Sequence, residues 1–534
     1  MATATQQKVL GAFYTSDPVA KFLVRWAVRA PGDRVLDPSC GDGVFLAAAA
    51  ERLRTLGSSR PIVEGIDVDP SAVHRAERAL PFARVLARDF FDLDSASFGP
   101  FDAVVGNPPF IRYQTFNGHN RLTALECARR AGAKLPRLSS SWAPFIVHAV
   151  ELLTSGGRLA MVVPAELAHA QYALEVLRFL TRRFASLSVC MFQQKLFPNL
   201  SEDTFLLLGE GKGRICGRFT ISPFDSIADV VKESDSSIPV NLEDLNAGRV
   251  RLTHYLLAPK VRHLYQTLSE QKGVSRFGDT ADIGIGYVTG ANDFFHLSER
   301  ERLAWKIPHK HLKSAIVSLA GFSGLTLKSS DWRHHRDSGE KAYLLALSGR
   351  AESELPESVR LYLTHGARSN IPKRFKCRVR KPWFQVPHVR LGHALLSYMA
   401  GSTPKLVLNS CKCVAPNTLH LVHFHGVYRP SCFAAGWYSS LTKLSCEMEG
   451  HPLGGGMLKL EPTEAGQVLV AQPYPRDTKP LVIEIDRRLR LGQLESARDL
   501  ADERILRNRF GLSGNECARL REAANHLESW RMHR

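Results

Sequence analysis

One stretch constrains the fold of this chain more than any other. The apolar run 101–106 reads as a strand and ends abruptly in Asn107-Pro108-Pro109-Phe110. Proline has no N–H and a fixed φ, and it pushes the residue before it out of the helical region. Asn107 and Pro108 are therefore extended, so their carbonyl groups are presented instead of being taken up in a helix. A stiff tip at the carboxyl end of a strand is where open α/β sheets bind ligands. The Asn107 amide oxygen and the Pro108 carbonyl can together accept two hydrogen bonds from one amino group. The Phe110 ring can stack on a flat partner. Such a pocket suits an exocyclic amine on a nucleobase.

Three earlier strand ends follow the same pattern. Residues 33–43 read as a strand, a glycine-rich turn and a helix from Val44 to about Leu56. Gly41 and Gly43 let the backbone approach a ligand where a side chain would collide, and Asp37 can bind a cation or an amino group. The turn lacks both the three-glycine dinucleotide pattern and a Walker lysine, so it does not imply a phosphate cradle. Residues 62–70 form a second strand ending in acids: Asp67 is placed to bind ribose hydroxyls and Asp69 to cap the helix that opens at Pro70. A short third strand, 84–87, ends in Arg88-Asp89-Phe90. There Asp89 can accept from an adenine amino group and Phe90 can cover the ring. Upstream, Ser16 or Asp17 caps a helix with Pro18 in its first turn and Phe22, Leu23, Trp26 and Ala27 at helical spacing. Tyr14 and Thr15, taken alone, read as loop packing and capping.

In this order the residues resemble an S-adenosylmethionine-dependent amino-methyltransferase, and specifically a gamma-class N6-adenine DNA methyltransferase of bacterial type II restriction–modification systems. That class carries its cofactor motifs first, the catalytic motif next and target recognition last. The likeness is strongest over residues 9–210. It implies an α/β fold: a Rossmann-like S-adenosylmethionine-dependent methyltransferase sheet with helices on both faces, plus a mixed α/β C-terminal target-recognition domain. It implies cofactor contacts from Tyr14, Thr15, Asp37, Ser39, Gly41, Gly43, Asp67, Val68, Asp89 and Phe90, and catalysis at Asn107, Pro108, Pro109 and Phe110. Asn in the first motif position leans toward adenine. Phe110 in place of Tyr removes only a hydroxyl.

Further along, residues 142–153 have helical spacing that Ser155-Gly156-Gly157 stops, 158–164 read as a fifth strand and 166–180 as another helix. Residues 186–192 and 204–208 read as strands joined by a loop that contains Phe197. The resemblance implies that Phe197 stacks on an extruded adenine; the residue also suits an ordinary buried position in a loop. Adenine in a duplex must be flipped out to be reached.

The C-terminal half is basic. The whole chain carries 70 Lys plus Arg against 52 Asp plus Glu, a net +18, which points to a polyanionic partner. Residues 371–390 hold seven cations and no acid. Among them Arg374, Arg378, Arg380 and Lys381 are the expected phosphate contacts, with Phe375, Trp383 and Phe384 interleaved. Residues 281–295 resemble the segment that opens the recognition domain, and also fit a β-hairpin with a Gly-Ala-Asn turn. Cys411, Cys413, His420, His423, His425 and Cys432 cluster in sequence, but without a Cys-x-x-Cys pair, so no metal is expected. Ten scattered cysteines favour a reducing compartment. No apolar run reaches about 18 residues, and Met1 to Lys8 has no signal-peptide core.

The expected organisation is a catalytic domain over 1–225, a connector over 226–265, a DNA-recognition domain over 266–485 and a helical tail over 486–534. The expected cofactor is S-adenosylmethionine. The expected partners are double-stranded DNA and, functionally, a separate restriction endonuclease, for a monomer in the bacterial cytoplasm with no membrane contact. Methylation of RNA or of a protein amide, and an inactive DNA-binding relative, are the competing readings. The basic C-terminal half argues against the first and the intact strand-end residues against the second.

Overall fold

The computed structural model describes residues 15–94, 98–111, 115–116, 118–170, 172–197, 203–230, 237–246, 251–347, 349–453 and 455–532. Tyr14 lies outside them. The chain forms two compact units that divide between Leu257 and Ala258.

The first unit is built on one nine-stranded sheet. Its elements run α1 (Asp17–Ala27), β1 (Arg34–Asp37), α2 (Val44–Thr55), β2 (Ile62–Asp67), α3 (Pro70–Ala79), β3 (Arg84–Ala87), β4 (Phe101–Gly106), α4 (Gly118–Arg130), α5 (Trp142–Glu151) and β5 (Leu153–Pro164). After a short helix, Glu166–His169, come α6 (Ala173–Thr181), β6 (Phe184–Phe192), β7 (Thr204–Lys212), β8 (Arg218–Phe224) and β9 (Ile238–Pro239). The strand order is β3-β2-β1-β4-β5-β7-β6-β8-β9. β1 pairs in parallel with both β2 and β4, so the order reverses at β1 and leaves a switch point between β1 and β4. β7 runs antiparallel between β5 and β6. Central strand β4 is buried along nearly its whole length, as expected of a parallel strand covered on both faces.

Helix α1 buries Val19, Ala20, Leu23, Val24 and Ala27, a single apolar stripe, and packs with α2 against the sheet, while α4, α5 and α6 pack together as a second group. The helix expected over 166–180 is broken. Ala170 is extended, with ψ 136°, and ends the first piece after His169. Residues 238–246 and 252–256 pack onto this first unit through β8, α6 and the Glu166–His169 turn. The stretch expected as a connector, 226–265, thus divides between the two units at Leu257.

The second unit, from Ala258, combines an antiparallel four-stranded sheet with two three-stranded sheets and a two-stranded ribbon. The four strands are β10 (Ala281–Ile285), β11 (Ala394–Ser397), β12 (Leu406–Leu408) and β13 (Leu419–Phe424), in the order β10-β13-β11-β12. Residues 281–295 do not form a hairpin: β10 pairs with β13, and Asn292–Phe295 is a helical turn. One core gathers Phe294, Phe295, Tyr362 and Phe384, with Trp383 against it. The expected tail over 486–534 is not separate from this unit. Helix α7 (Ser440–Glu449) is buried on almost every side, and the helix Gly514–Met532 covers it. Lys443 pairs there with Glu528 at 2.7 Å, and Arg531 with Glu447 at 2.8 Å.

Candidate active site

The switch point brings the first and fourth strand ends together. Leu36 of β1 lies opposite Val104 of β4, so the last residues of the two strands, Asp37 and Gly106, emerge beside each other at the carboxyl edge. The turn after β1 is bonded directly to the tip of β4: the Ser39 hydroxyl donates to the Asn107 carbonyl at 3.1 Å. The Asn107 Nδ2 group donates to Thr15 Oγ1 at 3.3 Å. With the amide nitrogen on Thr15, the amide oxygen points away from it. Pro108 and Phe110 are buried and Pro109 half-buried.

A second clamp holds the far side of the motif. Ser141, the residue before α5, donates its hydroxyl to the Pro109 carbonyl and accepts from the Ile111 N–H at 2.8 Å. Its own N–H donates to the Ile111 carbonyl at 3.0 Å. Trp142, next in sequence and fully buried, donates its indole N–H to Glu166 at 3.1 Å and to the Tyr172 hydroxyl at 2.8 Å. The start of α5 is thereby fixed to the end of β5. Sequence reasoning did not single out Ser141: a serine before an apolar helix suggests a cap, but its side chain makes no cap bond here and holds the 109–111 backbone instead.

Asp37 is fully buried. Its Oδ1 accepts from the Ser39 N–H at 3.1 Å, and its Oδ2 has no partner among the described residues. Burial, with the Asp67 carboxylate adding and the Ser39 N–H opposing, pushes its pKa up to about 8. Gly106 makes room for it: a Cβ there would lie 2.8 Å from Asp37 Oδ1. Asp67 accepts from the Gly41 N–H at 2.8 Å and from the Asp69 N–H at 2.9 Å. Each of its oxygens keeps a further lone pair for a hydroxyl donor. Burial raises the Asp67 pKa as well. Gly41 and Gly43 take φ of +51° and +88°, a backbone region open to glycine. Val68 beside them is exposed.

The third strand end differs in detail from its expectation. Asp89 uses one carboxylate oxygen to cap a short turn, accepting from the Phe91 N–H at 3.0 Å. Phe90 is buried, its ring 4.5 Å from that of Phe145 and 4.7 Å from His148, both on α5. Phe197 is buried in its loop.

In the second unit, Arg374, Arg378 and Lys381 are exposed. Arg380 is half-buried and has a structural task that its sequence context does not suggest. Its guanidinium donates to the Thr289 carbonyl at 2.7 Å and the Val288 carbonyl at 2.5 Å, so it braces a turn. Trp383 and Phe384 belong to the core, which leaves Phe375 as the exposed aromatic of that stretch. Among the described residues no three potential ligands form a metal-holding cluster. His420 and His423 bond to the Leu460 and Leu391 carbonyls, and Cys411 lies 3.1 Å from Cys413. No described helix is long and apolar enough to cross a membrane.

Comparison with known proteins follows the same division. The N-6 DNA Methylase family matches residues 1–208. The C-terminal domain of Type II methyltransferase M.Eco57I matches residues 249–506. Type II methyltransferase M.AccI of Acinetobacter calcoaceticus is 20% identical over 86% of this chain and 84% of its own length. Type II methyltransferase M.XamI of Xanthomonas campestris pv. amaranthicola is 22% identical over 85% and 84%. The fold is similar to that of the type IIL restriction–modification enzyme MmeI, solved in complex with DNA, with TM-score 0.61 and 12% identity, covering 98% of this chain and 80% of that one. A methylase half, a type II methyltransferase C-terminal half and relatives aligned along most of their length leave one assignment: the chain belongs to the N6-adenine DNA methyltransferases.

Proposed function

We propose that this chain methylates the N6 amino group of adenine within one short duplex DNA motif, with S-adenosylmethionine as donor, and that it is a gamma-class enzyme protecting DNA from a separate restriction endonuclease. The observation that carries the reading is the junction of Ser39, Asn107 and Thr15 at the switch point.

The residues present suit the cofactor. A buried carboxylate with one oxygen unpartnered, Asp37, fits a cationic amine. The Gly41–Gly43 turn leaves backbone room, and Asp67 fits paired hydroxyls. S-Adenosylmethionine, when bound, supplies a methyl group already activated on a sulfonium.

The protein's task is then alignment and charge placement. Adenine's amino nitrogen is a poor nucleophile because its lone pair is delocalised into the ring. The Asn107 side-chain oxygen and the Pro108 carbonyl accept its two hydrogens, which favours a tetrahedral nitrogen with its lone pair directed outward. Thr15 and Ser141 hold the two ends of that tip in register. No general base is needed before attack, since the product cation can lose its proton afterwards. Phe110 and Phe197 are the proposed stacking partners of the flipped base; both are buried here, so each must gain exposure to meet it. Arg374, Arg378 and Lys381 are proposed to meet phosphates.

The test is transfer of labelled methyl groups from S-adenosylmethionine to mixed genomic DNA, with the modified bases mapped. The expected product is 6-methyladenine in one short motif. Label in cytosine, in RNA only or in protein would end the reading.

A further inference from the structure

The short helix Phe375–Arg378 raises an aromatic ring out of the second unit. Phe375 is 63% exposed, and Val379, one helical turn on, is 66% exposed. Large apolar residues in such a position lose the stabilisation of burial, so their exposure asks for a reason. The residues around them are cations. Lys373, Arg374, Lys376, Arg378 and Lys381 are all exposed, and none is in an ion pair among the described residues. Two of them lie close to the ring itself: the Lys376 ammonium is 5.4 Å and the Arg378 guanidinium 5.3 Å from the Phe375 centroid.

The mount beneath this ring is rigid. Cys377 is fully buried and donates its thiol to the Thr289 carbonyl. Arg380 grips the Val288 and Thr289 carbonyls. A Cβ at Gly290 would come within 2.6 Å of Lys376 Cβ, so two backbones meet closely at that point. Trp383 and Phe384 then anchor the segment in the core. An apolar tip fixed in place loses little conformational freedom when it meets a partner.

We propose that Phe375, with Val379 beside it, is an apolar wedge that enters duplex DNA at a base step while Lys376 and Arg378 settle on the flanking phosphates. The wedge rests on the DNA-methyltransferase reading and adds to it a point of entry. Charge selects a polyanion, and an exposed flat ring beside two cations suits one whose stacked bases can be parted at a step to admit it. A membrane surface is also anionic, but interfacial helices need a long apolar face, and this helix has four residues.

The experiment compares wild type, Phe375→Ala, Phe375→Trp and the double variant Lys376→Ala with Arg378→Ala. The probe is an end-labelled duplex carrying the motif mapped by methylation, titrated across a salt series, with 2-aminopurine placed at successive steps to report unstacking. Phe375→Ala should weaken binding by about 5- to 100-fold, keep the slope of affinity against salt, and abolish the 2-aminopurine signal. Phe375→Trp should retain both. The double charge variant should lower the salt slope by about 1.8. Phe375 is exposed, so the alanine variant is expected to fold, and its melting temperature checks this.

Binding by Phe375→Ala within twofold of wild type, or loss of salt slope without loss of the unstacking signal, would overturn the wedge while leaving methylation intact. A wild-type protein that neither binds nor methylates the duplex would remove the broader reading as well. Capture on anionic vesicles that depends on Phe375, with DNA binding unchanged, would move the patch to a lipid surface and overturn the proposal.

Discussion

Gly106 and Asp37 share a space that admits only one of a methyl group and a carboxylate: a Cβ on Gly106 would lie 2.8 Å from Asp37 Oδ1. Both sit at the switch point, one residue before Asn107 and two before Ser39. Gly106→Ala should therefore displace the carboxylate without removing the Asn107 amide. The expected cost in stability is about 1–3 kcal/mol, as for other overpacked interiors. The expected functional loss is roughly tenfold or more in cofactor affinity, at about 1.4 kcal/mol per tenfold. Equilibrium binding of S-adenosylmethionine checks it; unchanged affinity would show that Asp37 can move freely.

The protonation of Asp37 gives a second expectation. An unfolded chain loses this proton near the ordinary value of 3.8, while burial holds it in the folded protein up to about 8. Between those values the folded state carries the extra proton. Stability from this group therefore falls as pH rises through the window and levels off above about 8. A cation placed beside Asp37 favours the ionised form, so cofactor binding should release a proton below pH 8. Thermal stabilisation by S-adenosylmethionine should be larger at pH 8.5 than at pH 6. Asp37→Asn should flatten that difference, and an equal pH dependence in the variant would assign it elsewhere.

Asn107→Ala should abolish methyl transfer, by roughly a thousandfold or more for a group that aligns and polarises the reacting atom. DNA binding should stay largely intact, because the phosphate contacts proposed for this protein lie in the second unit. Single-turnover transfer alongside a binding titration separates the two. Activity equal to wild type would remove the amide from the mechanism.

Arg380 and Lys381 are neighbours with opposite tasks. Arg380→Ala removes two charge-assisted hydrogen bonds to backbone carbonyls and should destabilise the second unit by about 2 kcal/mol. Lys381→Ala should leave the melting temperature unchanged and reduce the salt slope of DNA binding by about 0.9. Denaturation and salt titration of the two single variants distinguish bracing from phosphate contact.

Arg531 and Glu447 form a pair whose side chains are almost wholly buried. Burial pushes the Glu447 carboxyl up even with Arg531 beside it, a sign of how costly the lone charge would be. Arg531→Met should destabilise the second unit by about 3–5 kcal/mol, and adding Glu447→Met should restore much of the loss. Denaturant unfolding of the two variants reads this directly.

What the sequence disclosed follows from which residues were locally constrained. The tip at Asn107 was legible because two prolines fix its backbone whatever surrounds it. The β1 turn was legible because glycines and an acid stand at a strand end. Arg380 was not legible: a cation among cations looks like a surface charge until a carbonyl pair is seen facing it. Trp383 and Phe384 were misplaced for the same reason, since alternation with charged residues does not say which side of a turn faces the core. The break after His169 escaped because residues 166–180 keep helical spacing, while the pull of Trp142 and Tyr172 on Glu166 is a tertiary effect.

The cover that the helix Gly514–Met532 places over α7 has a consequence for synthesis. Lys443 and Glu447 leave the ribosome well before Asn525, Glu528 and Arg531, the groups that neutralise them. During that interval the nascent second unit exposes both an apolar helix face and unmatched charges, while every strand of the nine-stranded sheet has already been made. The last helix to emerge is thus the one that closes the second unit.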